Sequence, residues 1–211
     1  HEKEVYSWAS TGRQLYEDYD YATGNTKNYT LSLPGIVPED SVWLTTVFAA
    51  RSIGASTYYS VAVNGKVRGN ATLASISSDN QYYTRATSAS ISTSWLGTES
   101  ENTIVTVIHT RPSGTSGRLD YIALNYIRSL TLNAPYLTFR SLASINKETT
   151  FVLSGATAST VVWVVTDPAN ICRMEGSFVG GTYTFTIPAG KLREFVAITP
   201  EASGFDTVET V

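Results

Sequence analysis

Several things are scarce in this chain, and each scarcity excludes something. One cysteine, Cys172, stands among 211 residues, so no disulfide can form within the chain. There are two histidines and one methionine. With so few His and Cys residues, and no paired carboxylates at useful spacing, no metal-ligand cluster can be drawn. Charged residues make up 16% of the chain and the formal net charge is −3. That near-neutral balance argues against nucleic acid or an anionic membrane as the main partner. No apolar run is long enough to span a bilayer, and no signal segment is visible, so no address can be read directly.

What is abundant points to strands. Thr, Ser, Tyr and Val are plentiful, while the strong helix formers are thin, and the class that follows is all-β. A lone cysteine in such a chain is expected to be a small buried hydrophobe. A catalytic thiol needs a base, and only His1 and His109 are available. His1 is expected to be a mobile terminal residue. His109 closes the apolar run Ile104–Ile108 and reads as an ordinary strand-end histidine, because a triad would also need an orienting partner. No catalytic residue, cofactor or metal is therefore assigned.

The chain is organised around Arg118–Phe139. Within it Ile122, Leu124 and Tyr126 alternate with Tyr121, Ala123, Asn125 and Ile127, the period-two pattern of a strand between two faces. Asn133-Ala134-Pro135 follows, and proline does not continue a sheet ladder. Arg118–Leu132 thus reads as the closing strand of a first domain, residues 1–132, and Tyr136 opens a second, residues 133–211.

Earlier strands are expected over Tyr29–Leu33, Val42–Ala50, Tyr58–Val63, Lys66–Ala71, Gln81–Ile91 and Thr103–His109. Asn64-Gly65 should be a type I′ hairpin turn joining Tyr59–Val63 to Lys66–Ala71. Short strands at such spacing suggest a jelly-roll-like β-sandwich. The second half repeats the style as a smaller, immunoglobulin-like β-sandwich. Its strands are expected over Thr149–Leu153, Val161–Val165, Thr182–Ile187 and Arg193–Ile198. The β-branched run around Trp163 reads as a strand buried on both faces, with Trp163 in the core. Tyr183, Phe185 and Ile187 should point inward, with Gly180-Gly181 as a hairpin turn.

Candidate contact residues are aromatic. Glu2–Tyr21 mixes charge with Tyr6, Trp8, Tyr16, Tyr19 and Tyr21, and holds the acidic cluster Glu17-Asp18-Tyr19-Asp20. Its ordinary reading is an edge strand and loop with half-buried aromatics. The sharper reading is a lip for sugar or calcium, with Tyr16 and Tyr19 as contacts. Tyr121, Asn125 and Tyr126 on the closing strand complete the set.

Two ordered series of motifs resemble a known family. The first is Thr11-Gly12-Arg13-Gln14-Leu15-Tyr16, Phe48-Ala49-Ala50-Arg51, Val61-Ala62-Val63-Asn64-Gly65-Lys66 and Leu119-Asp120-Tyr121-Ile122-Ala123-Leu124-Asn125-Tyr126. The second is Val162-Trp163-Val164-Val165-Thr166-Asp167-Pro168 followed by Arg193-Glu194-Phe195-Val196-Ala197. In order and spacing these resemble the region preceding the catalytic domain of gingipain-type cysteine peptidases, specifically PorU-like sortases of type IX secretion in Bacteroidetes. The resemblance implies a secreted or outer-membrane, cell-surface protein whose caspase-like domain with a His–Cys dyad lies beyond Val211. Cys172 and His109 match no dyad motif. The implied partners are the downstream peptidase domain, secreted cargo or secretion-system subunits. Two alternatives from other classes are a carbohydrate-binding module, with a glycan as partner, and a surface adhesin fragment; fold alone decides none of them.

Overall fold

The computed structural model describes residues 1–8, 14–79, 86–97, 101–203 and 205. The strands, in order, are β1 (Thr26–Ser32), β2 (Ser41–Arg51), β3 (Thr57–Val63), β4 (Lys66–Leu73), β5 (Thr87–Leu96), β6 (Asn102–Thr110) and β7 (Ser116–Tyr126). They are followed by β8 (Tyr136–Arg140), β9 (Thr149–Ser154), β10 (Val161–Val164), β11 (Cys172–Met174), β12 (Ser177–Val179), β13 (Thr182–Ile187) and β14 (Glu194–Ile198). One 3-10 turn, Leu142–Ser144, interrupts this all-β sequence among the described residues. The expected class is what is observed. The chain divides into two compact units, His1–Arg128 and Ser129–Val211.

The first unit is a sandwich of two antiparallel sheets, β1-β6-β3-β4 and β5-β2-β7. Alternation decides which side chains fill it. On β2, Val42, Leu44, Thr46, Phe48 and Ala50 are buried, while Trp43 is exposed and Thr45 and Val47 are half-buried. β6 lies between β1 and β3, as its apolar run implies. The β3–β4 hairpin turns at Asn64 (φ 48°) and Gly65 (φ 79°), the two left-handed residues that a type I′ turn requires. On β7 the register against β2 shifts between Val47 and Phe48, where Val47 faces Tyr121 but Phe48 faces Leu119. Asp120 is the extra residue of that bulge, and so Leu119 and Ile122 both point inward despite an odd spacing.

Two expectations about this unit need correction. The closing strand ends at Tyr126, not Leu132. Leu132 donates its amide to Ser154 (2.8 Å) and enters the second hydrophobic core. Apolar residues simply continue through Leu130 and Leu132, so periodicity does not say which core they join. His1 is not a loose terminus: its main-chain nitrogen donates to the Ile122 carbonyl and its carbonyl accepts from Ile122 N–H, both at 2.8 Å. The Thr11-Gly12-Arg13 break and the start of the expected strand at Gln81 lie outside the described residues.

The second unit pairs β11-β10-β14-β8 with β12-β13-β9. Tyr183, Phe185 and Ile187 point inward as expected and meet Phe139, Phe151 and Phe195. Gly180 and Gly181, both at positive φ, close the β12–β13 hairpin. Trp163 is not a core residue. Only Val162 of the β10 run is fully buried, and Trp163 is half-buried on the other face, opposite Arg173 and Val196. Within this unit the sheet has one inner face, so the β-branched run reflects strand preference and not double burial. Cys172 is likewise exposed, because it lies on a three-residue edge strand where Met174 alone turns toward the core.

Candidate binding face

The outward positions of β5-β2-β7 form three cross-strand rows. In the first, Trp43 stands between Ser94 and Asn125. In the second, Thr45 stands between Ser92 and Ala123, and in the third Val47 stands between Ser90 and Tyr121. Trp43 is 40% exposed, and Ser90, Ser92, Ser94 and Asn125 are exposed beside it. Directly opposed side chains on adjacent strands lie within contact reach, so each row is a continuous strip. From strand spacing and rise, the platform measures about 14 Å along the strands and about 10 Å across.

The N-terminal segment bounds this platform at one end. There Ala49 is fully buried, and Arg118, opposite it, lies with its guanidinium 3.4 Å from the centre of the Tyr6 ring. The same segment runs along the outer edge of β7. Glu17 and Tyr21 donate their amides to the Leu119 and Gly117 carbonyls, both at 2.9 Å.

Buried polar groups fix that segment. Glu17 is wholly buried and accepts from Lys27 Nζ (2.6 Å) and from the Tyr29 hydroxyl (2.5 Å), with the His1 ring at 3.3 Å. Asp20 accepts from Ser116 Oγ (2.7 Å), Gly117 N–H (3.1 Å) and Arg118 (3.3 Å). Burial raises the Asp20 pKa, but hydrogen bonds from Ser116, Ala22 and Gly117 and the Arg118 charge outweigh it and hold the carboxyl below its usual value. Burial pushes the Tyr21 and Tyr29 hydroxyls well above the ordinary range. Two carboxylates of the acidic cluster are thus engaged internally. Glu17 and Asp20 are saturated by internal donors, and among the described residues no group of His, Cys, Asp and Glu could hold a metal ion.

The five sequence-named contacts fall into separate places. Tyr121 and Asn125 share the outer face. Tyr126 follows the inward phase of β7, donates its hydroxyl to Pro34 O (3.3 Å), and lines a cleft of about 390 Å³ with Tyr121, Leu31, Leu33 and Leu124. Tyr16 is buried against Trp8, ring centres 4.9 Å apart. Tyr19 packs on Tyr21 at 5.0 Å, with Lys27 Nζ 4.5 Å from its own ring centre. Both rings thus pack against other aromatic side chains of the N-terminal segment. Trp43 was missed by sequence reasoning, although the signal was present: it occupies the outward phase between Val42 and Leu44.

His109 is fully buried, stacked on Tyr59 at 4.1 Å, and neither ring nitrogen has a hydrogen-bond partner. Burial and the Arg111 charge lower its pKa to about 4, so it is neutral at pH 7. A ring enclosed in its own core cannot serve an exposed thiol. The Cys172 sulfur itself lies 3.8 Å from the Asn170 carbonyl. Among the described residues no helix is long and apolar enough to cross a membrane, which says nothing of a β-barrel.

No protein-family model matches the chain, and no curated protein does. Among solved structures it is similar to dimeric latent PorU from Porphyromonas gingivalis, with a TM-score of 0.81 and 20% identity over 96% of this chain and 20% of that one. A second similarity is to the N-terminal CBM22 tandem of Xyn10C from Paenibacillus barcinonensis. It covers 86% of this chain and 78% of that one at 10% identity, and its TM-score of 0.28 carries no argument. The chain spans about a fifth of the PorU structure, and at that identity the likeness is one of fold: an all-β sandwich region similar to part of PorU.

Proposed function

We propose that this chain is the non-catalytic β-sandwich region of a cell-surface, gingipain-like peptidase or sortase. In this reading it positions the peptidase domain, or contacts cargo and partner subunits in type IX secretion. The observation that carries it is the fold likeness to PorU, which spans both units and agrees with the motif order from Thr11 to Ala197. The enclosed His109 and the exposed, unassisted Cys172 fit a supporting role rather than a catalytic one. Fold likeness does not by itself carry function, so the reading needs a binding test.

That test is calorimetric titration of the purified chain against a sortase peptidase domain and against a secreted cargo protein bearing its sorting signal. Saturable binding to either one is the expected result. Failure to bind both, in a chain shown to be folded by circular dichroism, would remove the proposal.

A further inference from the structure

We propose that the three-row face of β5-β2-β7 is a binding site for an uncharged oligosaccharide, with Trp43 as its stacking platform. This inference does not depend on the peptidase-region reading. It rests on what the face carries and on what it omits.

The face carries the groups that recognise a neutral polyol. An indole presents a broad apolar surface on which the C–H face of a sugar ring can lie, and it gives up little conformational freedom on binding. Asn125, directly opposite Trp43, offers both a donor and an acceptor on one short side chain, which suits adjacent hydroxyls. On the other flank Ser94, Ser92 and Ser90 place a hydroxyl in each row, with Thr45 between the second of them and Ala123. Tyr121 closes the third row with a further ring and hydroxyl. Polar groups set around one aromatic surface are the usual chemistry of a small-molecule site.

The omission is charge. Within β5, β2 and β7 no Asp, Glu, Lys or Arg takes an outward position in these three rows; Glu2, bridged to Tyr121, stands at the outer end of the third. Charge stands at the margin of the face: Glu2 beside Tyr121, Asp120 at the bulge, where it accepts from Gln14, and Arg118, covered by Tyr6. Three strands without outward charge complement a ligand without charge, and with a carboxylate at their margin they offer nothing to a phosphate, a sulfated sugar or an acidic peptide. Its rigidity follows from the buried Glu17 and Asp20 contacts that fix the neighbouring edge of β7. The opposite sheet supplies an internal control: Tyr58, 52% exposed, stands between Thr72 and Thr110 on β3.

The test is an array of neutral oligosaccharides probed with the purified chain, followed by calorimetry on the best ligand. Trp43→Ala should weaken that binding at least about tenfold, and Asn125→Ala about threefold to tenfold, as expected for one lost hydrogen-bonding group. Tyr58→Ala should leave it unchanged. Circular dichroism and the thermal midpoint verify that each variant is folded, and Trp43→Tyr, which keeps a stacking ring, should recover part of the affinity. The proposal is overturned if no neutral glycan binds, if only charged glycans bind, or if Tyr58→Ala rather than Trp43→Ala abolishes binding. Because the titrations with the peptidase domain and cargo use different ligands, a negative array leaves the proposed function to stand or fall separately.

Discussion

The two units solve the same packing problem with different side chains. The second unit fills its sandwich with Phe139, Phe151, Phe185 and Phe195, whose ring centres lie 5.1–6.3 Å apart, and among its described residues the buried polar side chains are two hydroxyls, Ser144 and Thr160. The first unit uses Tyr21, Tyr29 and Tyr59, with Phe48, Tyr59 and His109 stacked as three near-parallel rings. It also buries Glu17, His109 and Arg118. Apolar rings are non-directional and tolerate variation, whereas buried polar groups must be matched or they cost stability. The first unit therefore has the more specified interior, and its outer face is the proposed oligosaccharide site. Among its described residues the second buries no carboxylate, histidine, lysine or arginine, and its stability should depend little on pH.

Breaking the apolar unit should have the largest effect. Phe195 is 1% exposed and touches three other phenylalanines. Phe195→Ala should cost about 3–5 kcal/mol, a large part of what a small sandwich possesses. Chemical denaturation followed by circular dichroism would read it; a loss below about 1 kcal/mol would mean that the phenylalanine cluster is not the second unit's core.

Acid should separate the units next. His109 titrates near pH 6.5 when unfolded and near 4 when folded, so the unfolded state takes up the proton first. Stability contributed by the neutral ring is complete above pH 6.5 and is lost as the pH falls toward 4, a change of about 3 kcal/mol. Asp20, whose folded pKa is depressed, adds a further loss only below its ordinary value of 3.8. Denaturation midpoints across this range should fall for the first unit and stay level for the second. The variant His109→Phe should flatten the slope. A slope unchanged in that variant would place the acid sensitivity elsewhere.

A turn substitution gives a smaller effect confined to the first unit. Gly65→Val puts a β-branched residue at φ 79°, and should cost about 1–3 kcal/mol by thermal unfolding. An unaltered midpoint would mean that the hairpin turn tolerates the change and contributes little. Trp163→Ala should have the least effect, about 1 kcal/mol, since that ring is half-buried outside the phenylalanine cluster. If it matched Phe195→Ala, the inner and outer faces of β10 would have been assigned the wrong way round.

Much of this architecture can be read from alternation and turn residues. Val42, Leu44 and Phe48 declare their face, and Asn64-Gly65 and Gly180-Gly181 declare their turns, because period two and left-handed φ are local properties. What was not legible depended on partners distant in the chain. Glu17 and Asp20 look like a solvated acidic cluster until Lys27, Tyr29, Ser116 and Arg118 are brought beside them. Trp163 and Cys172 look buried because their neighbours are apolar, yet strand edges and outer faces are set by sheet order. The binding face was half legible: Asn125 and Tyr121 were named, but the row that joins Asn125 to Trp43 appears only with the β2–β7 register.

The proposed supporting role, without peptide cleavage, is tested most directly by incubating this chain with Arg-, Lys- and generic peptide substrates beside its Cys172→Ala variant. The account predicts no hydrolysis by either, because His109 is sealed in a core and the hydrogen-bond contacts of the thiol among the described residues are to Asn170. Turnover by the native chain that disappears in Cys172→Ala would contradict it.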